Sequence, residues 1–539
     1  MSTTPPLPTT TEAAAHAAGA IRHVLVLGGG SAGWLTAALL AAEHRAHAPD
    51  GLRVTLVESP GTPPIGVGEG TWPSMRDTLR RIGLSETDLV RHCSAAFKQG
   101  SRFDGWRTGE AGDHYHHPFT LPAGFGDVDL VRAWQEAGTG QAFADLVCVQ
   151  PRLCAAGLAP KQAATPEFAA VANYGYHFDA GQFGQLLQRH ATEHLGVRHV
   201  LADVQAVLSH DNGDIAALQT AQHGPLAADL FVDCSGLAAR LLGQHYAVPF
   251  LSQQHVLFND AALALQVPYA TPEAPVATQT IATAQPWGWT WDIGLPTRRG
   301  MGHVYSTAHA SDHAVEAALR RHIAASGGPT DLPAARRIRF TPGYRARFWQ
   351  HNCVAVGLAS GFIEPLEASA LALVEMSAAM LSDELPATRA ELPAVARRFN
   401  DAFGYRWARV IDFLKLHYLL SERSDTTYWS DHRDPASVPD SLAELLPLWR
   451  HRAPYRHDLH RVEEVFPAAS YQYVLYGMGW PTPVHPAGLA RRHDSAAAKR
   501  LLHDTATLGR RMAAALPTHR ALLQHIQQHG LPRAVHTPP

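Results

Sequence analysis

The chain has 539 residues, of which 46% are hydrophobic and 17% are charged, and its formal net charge is −3. A chain of this length can form two domains or one elaborated domain. The near-zero net charge and the lack of a Lys/Arg tract argue against a nucleic-acid-binding protein. The five cysteines are dispersed and form no CxxC pair, which argues against a disulfide framework or a structural zinc site and favours a reducing compartment.

The 33 histidines have no His-Glu-x-x-His spacing, so we expect no metal site and expect about nine in ten of them to lie at the surface. No apolar run reaches the roughly 18 residues that a membrane span needs. Residues 1–20 lack the basic start and apolar core of a secretory signal, and we expect them, like residues 531–539, to form a disordered tail. These features predict a soluble, cytoplasmic protein.

Ordered structure is predicted to begin with a strand, a glycine-rich turn and a helix in the segment IRHVLVLGGGSAGWLTAALLAAEHR. Gly28 permits the tight turn, Gly30 lets a pyrophosphate approach the backbone, and Gly33 lets the helix pack on the strand. A second strand, RVTLVE, ends at Glu58, whose carboxylate can bind an adenosine ribose. The order of these elements predicts a dinucleotide site, with a plain βαβ unit as the alternative.

Two later segments favour FAD over NAD as the dinucleotide. DLFVDCSGLAARLLG (229–243) and CVAVGLASGFIEPLEASALALVEMSAAML (353–381) each place a glycine-containing loop after an apolar strand. Large FAD-binding proteins return to the nucleotide late in the chain through such elements, whereas NAD domains usually end within one compact unit. The segment 173–191 is predicted to lead back from the other domain.

The segment GWTWDIGLP (288–296) carries Trp289 and Trp291 at alternate positions. Side chains two residues apart in a strand point to the same face. The pair therefore forms either part of an ordinary core or a wall that lines a cavity, and the segment alone does not distinguish the two.

Six segments together resemble one known family. They are, in chain order, GGGSAGWLTA, IGVGEGTWPSMRDTLRRIGL, AAFKQGSRFDGW, HYHHPF, GWTWDIGLP and GFIEPLEASAL. From about residue 22 to at least 480, the sequence resembles the flavin-dependent halogenases of the tryptophan halogenase family. The resemblance implies an α/β fold. Its FAD-binding domain, of the glutathione-reductase-like Rossmann type, would comprise 21–95, 171–265 and 340–385, interleaved with a mainly helical substrate-binding region from 96–170, 266–339 and 386–530.

The resemblance implies an enzyme that uses FADH2, O2 and chloride or bromide to make hypohalous acid, which passes through an internal tunnel to an indole-like aromatic substrate. A separate flavin reductase would supply the reduced FAD, and a homodimer is compatible with the sequence. The implied catalytic residues are Lys98, which binds hypohalous acid or becomes a haloamine, and Glu367, which accepts the ring proton. The other implied site residues are Gly28, Gly30, Ser31, Ala32, Gly33, Glu58, Val204, Leu358 and Leu371 for FAD, Ser369 and Ala370 for halide, and His117, Phe119, Tyr471, Trp289 and Trp291 for the substrate and the tunnel wall.

Three features depart from the family pattern. Ala368 and Ala370 replace a serine and a glycine, Gly294 replaces a proline, and Tyr471 stands where a tryptophan is expected. If position 370 requires a positive φ, alanine there costs about 1 kcal/mol and reshapes the halide pocket. Because the other aromatic positions are retained, we expect an indole or a related electron-rich ring to be preferred over free tryptophan.

Two alternatives remain open on the sequence. An aromatic monooxygenase would use the same reduced flavin and O2, but such enzymes usually carry an Asp-Gly turn where this chain has Cys234-Ser235-Gly236. The other alternative is a non-catalytic flavin-binding protein. The altered residues 368 and 370 favour it, whereas the presence of both Lys98 and Glu367 disfavours it.

Overall fold

The computed structural model describes residues 19–61, 68–461, 463–483 and 494–533. Most of the two tails expected from the sequence therefore lies outside the described residues. At the edges of those tails, Ala20 pairs with Thr388, and the amide of Glu167 donates to the carbonyl of Pro532 over 2.8 Å. The packed chain thus includes residues 19–20 and 531–533, which the sequence analysis had assigned to the tails.

The described residues form a mixed α/β fold. Its strands are β1 His23–Leu27, β2 Arg53–Glu58, β3 Glu69–Gly70, β4 Ala96–Lys98, β5 Gly100–Asp104, β6 His114–Pro118, β7 Gly175–Phe178, β8 Arg198–Leu201, β9 Val204–Ser209, β10 Ile215–Thr220, β11 Gly224–Ala227, β12 Leu230–Asp233, β13 Phe250–Ser252, β14 Ala261–Pro268, β15 Thr280–Gln285, β16 Gly288–Gly294, β17 Arg298–Tyr305, β18 Arg336–Arg339, β19 Gly343–Arg345, β20 Trp349–Gln350, β21 Cys353–Ala355 and β22 Gly361–Phe362. Its α-helices are α1 Ser31–Glu43, α2 Met75–Arg81, α3 Glu86–His92, α4 Leu130–Ala137, α5 Phe143–Val147, α6 Gln150–Ala155, α7 Ala180–Glu193, α8 Asp312–Ala325, α9 Ser369–Asp383, α10 Leu392–Leu419, α11 Thr427–Asp431, α12 Asp440–Trp449, α13 Ala468–Gly477, α14 Ser495–Ala515 and α15 His519–His529.

A six-stranded sheet organises the half of the fold that contains the glycine turn. Its strand order is β20–β21–β12–β1–β2–β8, and β20 runs antiparallel to its neighbour while the other five strands are parallel. All six strands come from the three segments that the sequence analysis assigned to the FAD domain. The late strand β21 pairs with β12, so the chain does return to the first βαβ unit as expected.

Strand β1 is buried at all five positions because both faces of this sheet are covered. Val24 and Val26 pack in the main core with helix α1, whereas Leu25 and Leu27 pack in a second cluster with β10 of a three-stranded antiparallel sheet. A strand buried on both faces reads as a continuous apolar run rather than as an alternation. The segment HVLVL has this pattern.

A second, seven-stranded sheet has the order β18–β14–β17–β16–β15–β5–β6. The first five residues of β14 come from the segment 171–265 that was assigned to the FAD domain, and the other strands come from the expected substrate-binding region. The sheet is antiparallel except where β15 runs parallel to β5. The helical character expected for the substrate-binding region is found in 386–530, whereas 266–339 and the start of 96–170 contribute mostly strands to the sheet. A smaller sheet, β3–β7–β4, joins the two halves because β7 comes from the FAD-domain segments and β4 from the substrate region.

Helix α10 crosses the interior of the substrate-binding region. Ten consecutive residues near its end, 409–418, are all buried, which is why the amphipathic pattern of its first half disappears there. Many histidine side chains are buried in the described part of the chain. The expectation that about nine in ten histidines lie at the surface is therefore wrong. Of the 29 histidines among the described residues, eight are buried, namely His23, His116, His117, His177, His303, His417, His432 and His519.

All five cysteines are free, and the described part of the chain contains no cluster of His, Cys, Asp and Glu that could hold a metal ion. Within the same residues, no helix is long and apolar enough to cross a membrane.

The glycines of the first turn yield a stability test. A Cβ on Gly33 would lie 1.9 Å from the carbonyl oxygen of Gly28, so Gly33→Ala forces α1 away from β1 and we expect a loss of about 1–3 kcal/mol. Gly30→Ala is the matched control, because no heavy atom lies within 4 Å of its Cβ and its φ is −76°. Thermal unfolding followed by circular dichroism should show a lower Tm for the first variant, and equal Tm values for both would contradict this account of the packing.

Candidate active site

The glycine turn after β1 forms an open cradle. Gly28 has a φ of +121°, and a Cβ there would lie 2.1 Å from the carbonyl oxygen of Cys234, so this position requires glycine. A Cβ added to Gly30 would have no heavy atom within 4 Å. Helix α1 begins directly after Gly30 without a side-chain cap. Uncapped amides at a helix start bind phosphate groups. The cradle therefore fits the pyrophosphate of a dinucleotide, with Gly28 in the tight turn, Gly30 beside open space and Gly33 packed against the carbonyl of Gly28.

The acid at the end of β2 lies directly beside this turn. A Cβ added to Gly29 would collide with Glu58 Oε2, and Glu58 Oε1 lies 2.7 Å from His199 Nε2. The imidazole orients the carboxylate at the edge of the cradle, where the sequence analysis places the adenosine ribose.

The loop after β21, which contains Gly357 and Leu358, also lies beside the glycine turn. A Cβ on Gly357, which has a φ of +72°, would lie 2.8 Å from the Cβ of Ala32, so the partly exposed Leu358 lies beside α1. Ser31 starts α1, and its hydroxyl lies 3.5 Å from the carbonyl of Ala180. Val204 starts β9, and its carbonyl accepts a 2.8 Å bond from Arg240.

Lys98 ends β4 and is completely buried, with 0% of its surface exposed. No described residue accepts a hydrogen bond from its Nζ, which lies 5.2 Å from the centre of the Phe119 ring. Burial lowers the pKa of Lys98 to about 8, against the charge of Glu367, which raises it. A buried amine without a hydrogen-bond acceptor is costly, and it marks a position where a ligand can supply the missing acceptor.

Glu367 is the opposing charge, and two histidines approach the same oxygen of its carboxylate. His117 Nδ1 lies 2.8 Å from Glu367 Oε1, and His417 Nε2 lies 3.3 Å from it without hydrogen-bond alignment. Burial by itself would raise the pKa of Glu367, but His117 and His417 outweigh that effect and hold the pKa well below its usual range. The indole N–H of Trp72 donates to the backbone carbonyl of Glu367 over 2.8 Å.

The far nitrogens of the two imidazoles also have partners. His117 Nε2 lies 2.9 Å from Ser470 Oγ, and His417 Nδ1 lies 2.5 Å from the Tyr115 hydroxyl. Burial raises the pKa of Tyr115 well above its usual value, so this hydroxyl keeps its proton and can donate it. Burial lowers the pKa of His417, so its imidazole is assigned as neutral, with the Nε2–H toward Glu367 and Nδ1 accepting from the Tyr115 hydroxyl.

Lys98 and the Glu367 loop face the same small space. A Cβ placed on Gly70 would lie 3.3 Å from Lys98 Nζ and 3.3 Å from the Cβ of Ala368. The amine and the residue after Glu367 are therefore near neighbours, although Lys98 and Glu367 form no direct ion pair.

The two tryptophans of β16 are buried on one face of the seven-stranded sheet. Trp289 packs against Trp291 and Trp106, each with ring centres 6.3 Å apart, and its indole N–H donates to Glu364 Oε2 over 2.6 Å. Glu364 lies three residues before Glu367. The tryptophan pair is therefore fixed directly to the loop that carries the catalytic candidate.

The aromatic surroundings of His117 differ in part from the expectation. Its ring contacts those of Phe413, Phe466 and Tyr473, with centres 5.6, 6.4 and 6.1 Å away. Tyr471 packs behind Phe413 at 5.0 Å, and the described residues show no ring contact between Tyr471 and His117. Phe413 therefore contacts both rings.

Phe413 and His417 were not predicted from the sequence as site residues. Both lie in the buried end of α10, four residues apart and hence on one helix face. A histidine within the apolar run VIDFLKLHYLL was the available signal. It was not used because most histidines were expected at the surface.

Comparison with known proteins identifies the family. A family model for tryptophan halogenases matches residues 23–493. Tryptophan 6-halogenase SttH of Streptomyces toxytricini is 33% identical over 498 residues, which is 88% of this chain and 93% of that protein. The chain belongs to the tryptophan halogenase family.

Two solved structures of halogenases match nearly the whole chain. The tryptophan halogenase of Shewanella frigidimarina superposes with a TM-score of 0.91 at 46% identity, covering 96% of this chain and 99% of that one. Tar14, a tryptophan C-6 flavin-dependent halogenase (chlorinase) from taromycin biosynthesis, has a TM-score of 0.86 at 33% identity and covers 94% of this chain and 100% of its own. The protein is therefore a flavin-dependent halogenase, which implies the use of FAD and a halide, and neither alternative from the sequence analysis gains support.

The halogenase departs from its family at the start of α9, where the structure revises the expectation for residue 370. Ala370 lies in the first turn of the helix without a positive φ and is exposed, next to Ser369, which is buried. The left-handed residues are instead Glu367, with a φ of 65°, and Ala368, with a φ of 56°. The helix begins without a side-chain cap, and Leu371 follows in its first turn with 6% exposure.

This geometry gives opposite stability effects for two alanine-to-glycine changes in the halogenase. Ala368→Gly removes the left-handed strain and should stabilise the fold by up to about 1 kcal/mol. Ala370→Gly weakens a helix without relieving strain and should destabilise it by up to about 1 kcal/mol. Urea unfolding of the two variants measures both changes, and stabilisation by the second variant instead of the first would contradict the assigned backbone.

Proposed function

We propose that this halogenase transfers halogen from hypohalous acid to an indole-like aromatic ring, with Lys98 and Glu367 as the catalytic residues. The observation that carries the proposal is the buried Lys98 Nζ, which has no acceptor among the described residues and faces the loop of an ionised Glu367. A surface lysine or a structural ion pair would have neither property.

The open glycine turn and the uncapped helix start fit FAD, and we propose that these residues bind it. Gly28, Gly30, Ser31, Ala32 and Gly33 would hold the pyrophosphate, with Glu58 at the ribose. Val204, Leu358 and Leu371 would contact other parts of the cofactor. When bound in its reduced form, FAD supplies with O2 and a halide the hypohalous acid that the other residues use. We further propose that a separate flavin reductase delivers the reduced FAD, because the Cys234-Ser235-Gly236 turn lacks the Asp-Gly pattern of enzymes that also bind NADPH.

The amides of Ser369 and Ala370 are our candidates for the halide site. They lie at the uncapped start of α9, where the helix dipole and free N–H groups favour an anion. Either chloride or bromide satisfies these donors. Ala370 itself is exposed.

Halogen transfer then proceeds with a balanced movement of protons. The Lys98 ammonium donates to the oxygen of hypohalous acid and polarises its oxygen–halogen bond. As the ring carbon forms its bond to halogen, the oxygen–halogen bond breaks. The oxygen leaves as water after taking a proton from Lys98. The carboxylate of Glu367 accepts the ring proton as aromaticity returns. Return of this proton to Lys98 is favourable because the pKa of Lys98 is about 8 and that of Glu367 is far lower.

The arene site is proposed to consist of His117 and Phe119 with the rings found around His117. Trp289 and Trp291 would separate it from the flavin compartment, because their bulk blocks passage of an organic substrate. The proposal favours an indole or a similar electron-rich ring over free tryptophan. It rests on the altered aromatic wall around residue 471 and on the absence of the family's proline after Ile293.

Separate variants of Lys98 and Glu367 test whether the first activates hypohalous acid and the second accepts the ring proton. Lys98→Met keeps most of the side-chain volume but removes the N–H donors, and it should lower halogenated product at least 100-fold. Glu367→Gln should slow product formation by a factor on the order of 100, as loss of a general base does. Both variants should bind FAD normally and still release hypohalous acid, measured with a soluble scavenger dye. Full product formation by Lys98→Met would contradict the proposed mechanism.

A panel of simple indoles and free tryptophan tests the substrate class. Reduced FAD, O2 and equal concentrations of chloride and bromide are supplied, and the products are identified by mass spectrometry. We expect halogenated indoles, no hydroxylated product when halide is omitted, and slower turnover of tryptophan. Rapid halogenation of tryptophan with no turnover of simple indoles would overturn the proposed preference, whereas a hydroxylated product without halide would restore the monooxygenase alternative.

A further inference from the structure

Strand β4, which carries Lys98, is the edge strand of its small sheet. The backbone N–H of Phe97 points away from the paired strand and donates to His519 Nε2 over 2.9 Å. The other ring nitrogen, His519 Nδ1, donates to the carbonyl of Val276 over 3.1 Å. His519 has 0% exposure, so this imidazole is an internal bridge between β4 and the segment before β15.

The proton positions on His519 follow from its two partners. A backbone N–H can only donate, so Nε2 must be unprotonated, and a carbonyl can only accept, so Nδ1 must carry the proton. Burial lowers the pKa of His519 to about 4, which keeps the imidazole in this neutral form over the working pH range of most enzymes. The bridge therefore does not switch with pH near neutrality.

Neighbouring contacts hold the same segment against the strand. The amide of His519 donates to Gly157 over 2.9 Å, and Thr518 pairs with Leu158. Gln99, the residue after Lys98, donates through its side chain to Leu158 over 2.8 Å. Both sides of Lys98 are thus connected to the segment that leads into α15.

The family model for tryptophan halogenases ends at residue 493, so α14 and α15 lie beyond the matched region. Nevertheless, the first residue of α15 contacts the backbone next to the catalytic lysine. We propose that His519 is a positioning residue for Lys98, which it fixes by accepting the Phe97 N–H at the edge of β4. This inference rests on the proposed role of Lys98.

Loss of the acceptor leaves the Phe97 N–H buried and unpaired, and such a group is costly enough to displace the strand. A small shift of β4 moves Lys98 Nζ away from the space beside Ala368. Formation of hypohalous acid does not use β4 and should continue. The fraction of the oxidant that reaches the arene should fall, which separates positioning from a general loss of structure.

The test compares two amide substitutions of His519 in the full-length enzyme loaded with FAD. In His519→Gln, the amide oxygen can occupy the position of Nε2 and accept from Phe97. In His519→Asn, the shorter side chain reaches only the position of Nδ1. Gln527→Ala is the matched control, because Gln527 lies in the same helix and donates to Val90 of α3 over 3.0 Å without touching β4.

Two readouts are measured for each variant. The first is hydrogen exchange of the Phe97 amide by mass spectrometry, which is independent of activity. The second is the ratio of halogenated indole to hypohalous acid trapped by a scavenger. We expect His519→Asn to exchange this amide faster than wild type and to lower the ratio about tenfold. We expect His519→Gln and Gln527→Ala to resemble wild type in both readouts.

Equal behaviour of the Asn and Gln variants, or an equal defect in Gln527→Ala, would overturn the role of His519. If wild-type enzyme makes hypohalous acid but halogenates no arene, the proposed function fails, and the exchange measurement still decides whether His519 fixes β4. If exchange differs as expected but the product ratio is unchanged, the bridge is structural and the positioning role is overturned.

Discussion

The active site depends on one electrostatic arrangement: a lysine and a glutamate that are both buried, both charged at neutral pH, and kept apart. A direct ion pair between them would satisfy both groups and leave neither free to react. Here the carboxylate of Glu367 is occupied by His117, with His417 beside it, so Lys98 Nζ stays available. The polar shell around Glu367 thus provides the stabilisation that would otherwise come from Lys98, and in the proposed function the amine binds the oxidant instead.

The backbone supports this separation. Two successive residues at the start of α9, Glu367 and Ala368, adopt left-handed conformations that non-glycine residues rarely tolerate. Trp72 bonds the Glu367 carbonyl, and Glu364 anchors Trp289 from the same loop. Strain at the loop is therefore held by contacts from two other parts of the chain, and it directs the Glu367 side chain toward the histidines while leaving the helix start open for an anion.

The parts of the site that sequence analysis could predict are those encoded by local spacing. The three glycines, Glu58 and the late strand–loop–helix element follow from turn geometry and strand order, and the structure places them together. Lys98 and Glu367 were assigned through the family resemblance rather than through local physics. Their burial and their neighbours depend on the tertiary packing of β4, β6 and α10.

The failures have the same physical origin. His417 and Phe413 were hidden in a helix whose end is buried on every side, where no polar face marks a functional residue. The positive φ considered for Ala370 is found instead at Glu367 and Ala368. Ala370 itself already lies in helix α9 and has a helical backbone. Tyr471 and Phe413 are brought together only by the packing of α13 on α10, so the sequence could not establish which ring faces His117.

Direct titration of Lys98 tests the central claim. The sequence has four lysines, Lys98, Lys161, Lys415 and Lys499, so carbon-13 NMR of enzyme labelled at lysine Cε gives four signals, and Lys98→Met assigns the relevant one. The account predicts a pKa of about 8 for Lys98 in the wild type and a lower pKa in Glu367→Gln, because the neutral amide removes the charge that raises it. A Lys98 that titrates near 10.5, as an exposed lysine does, and that is insensitive to Glu367→Gln would contradict it.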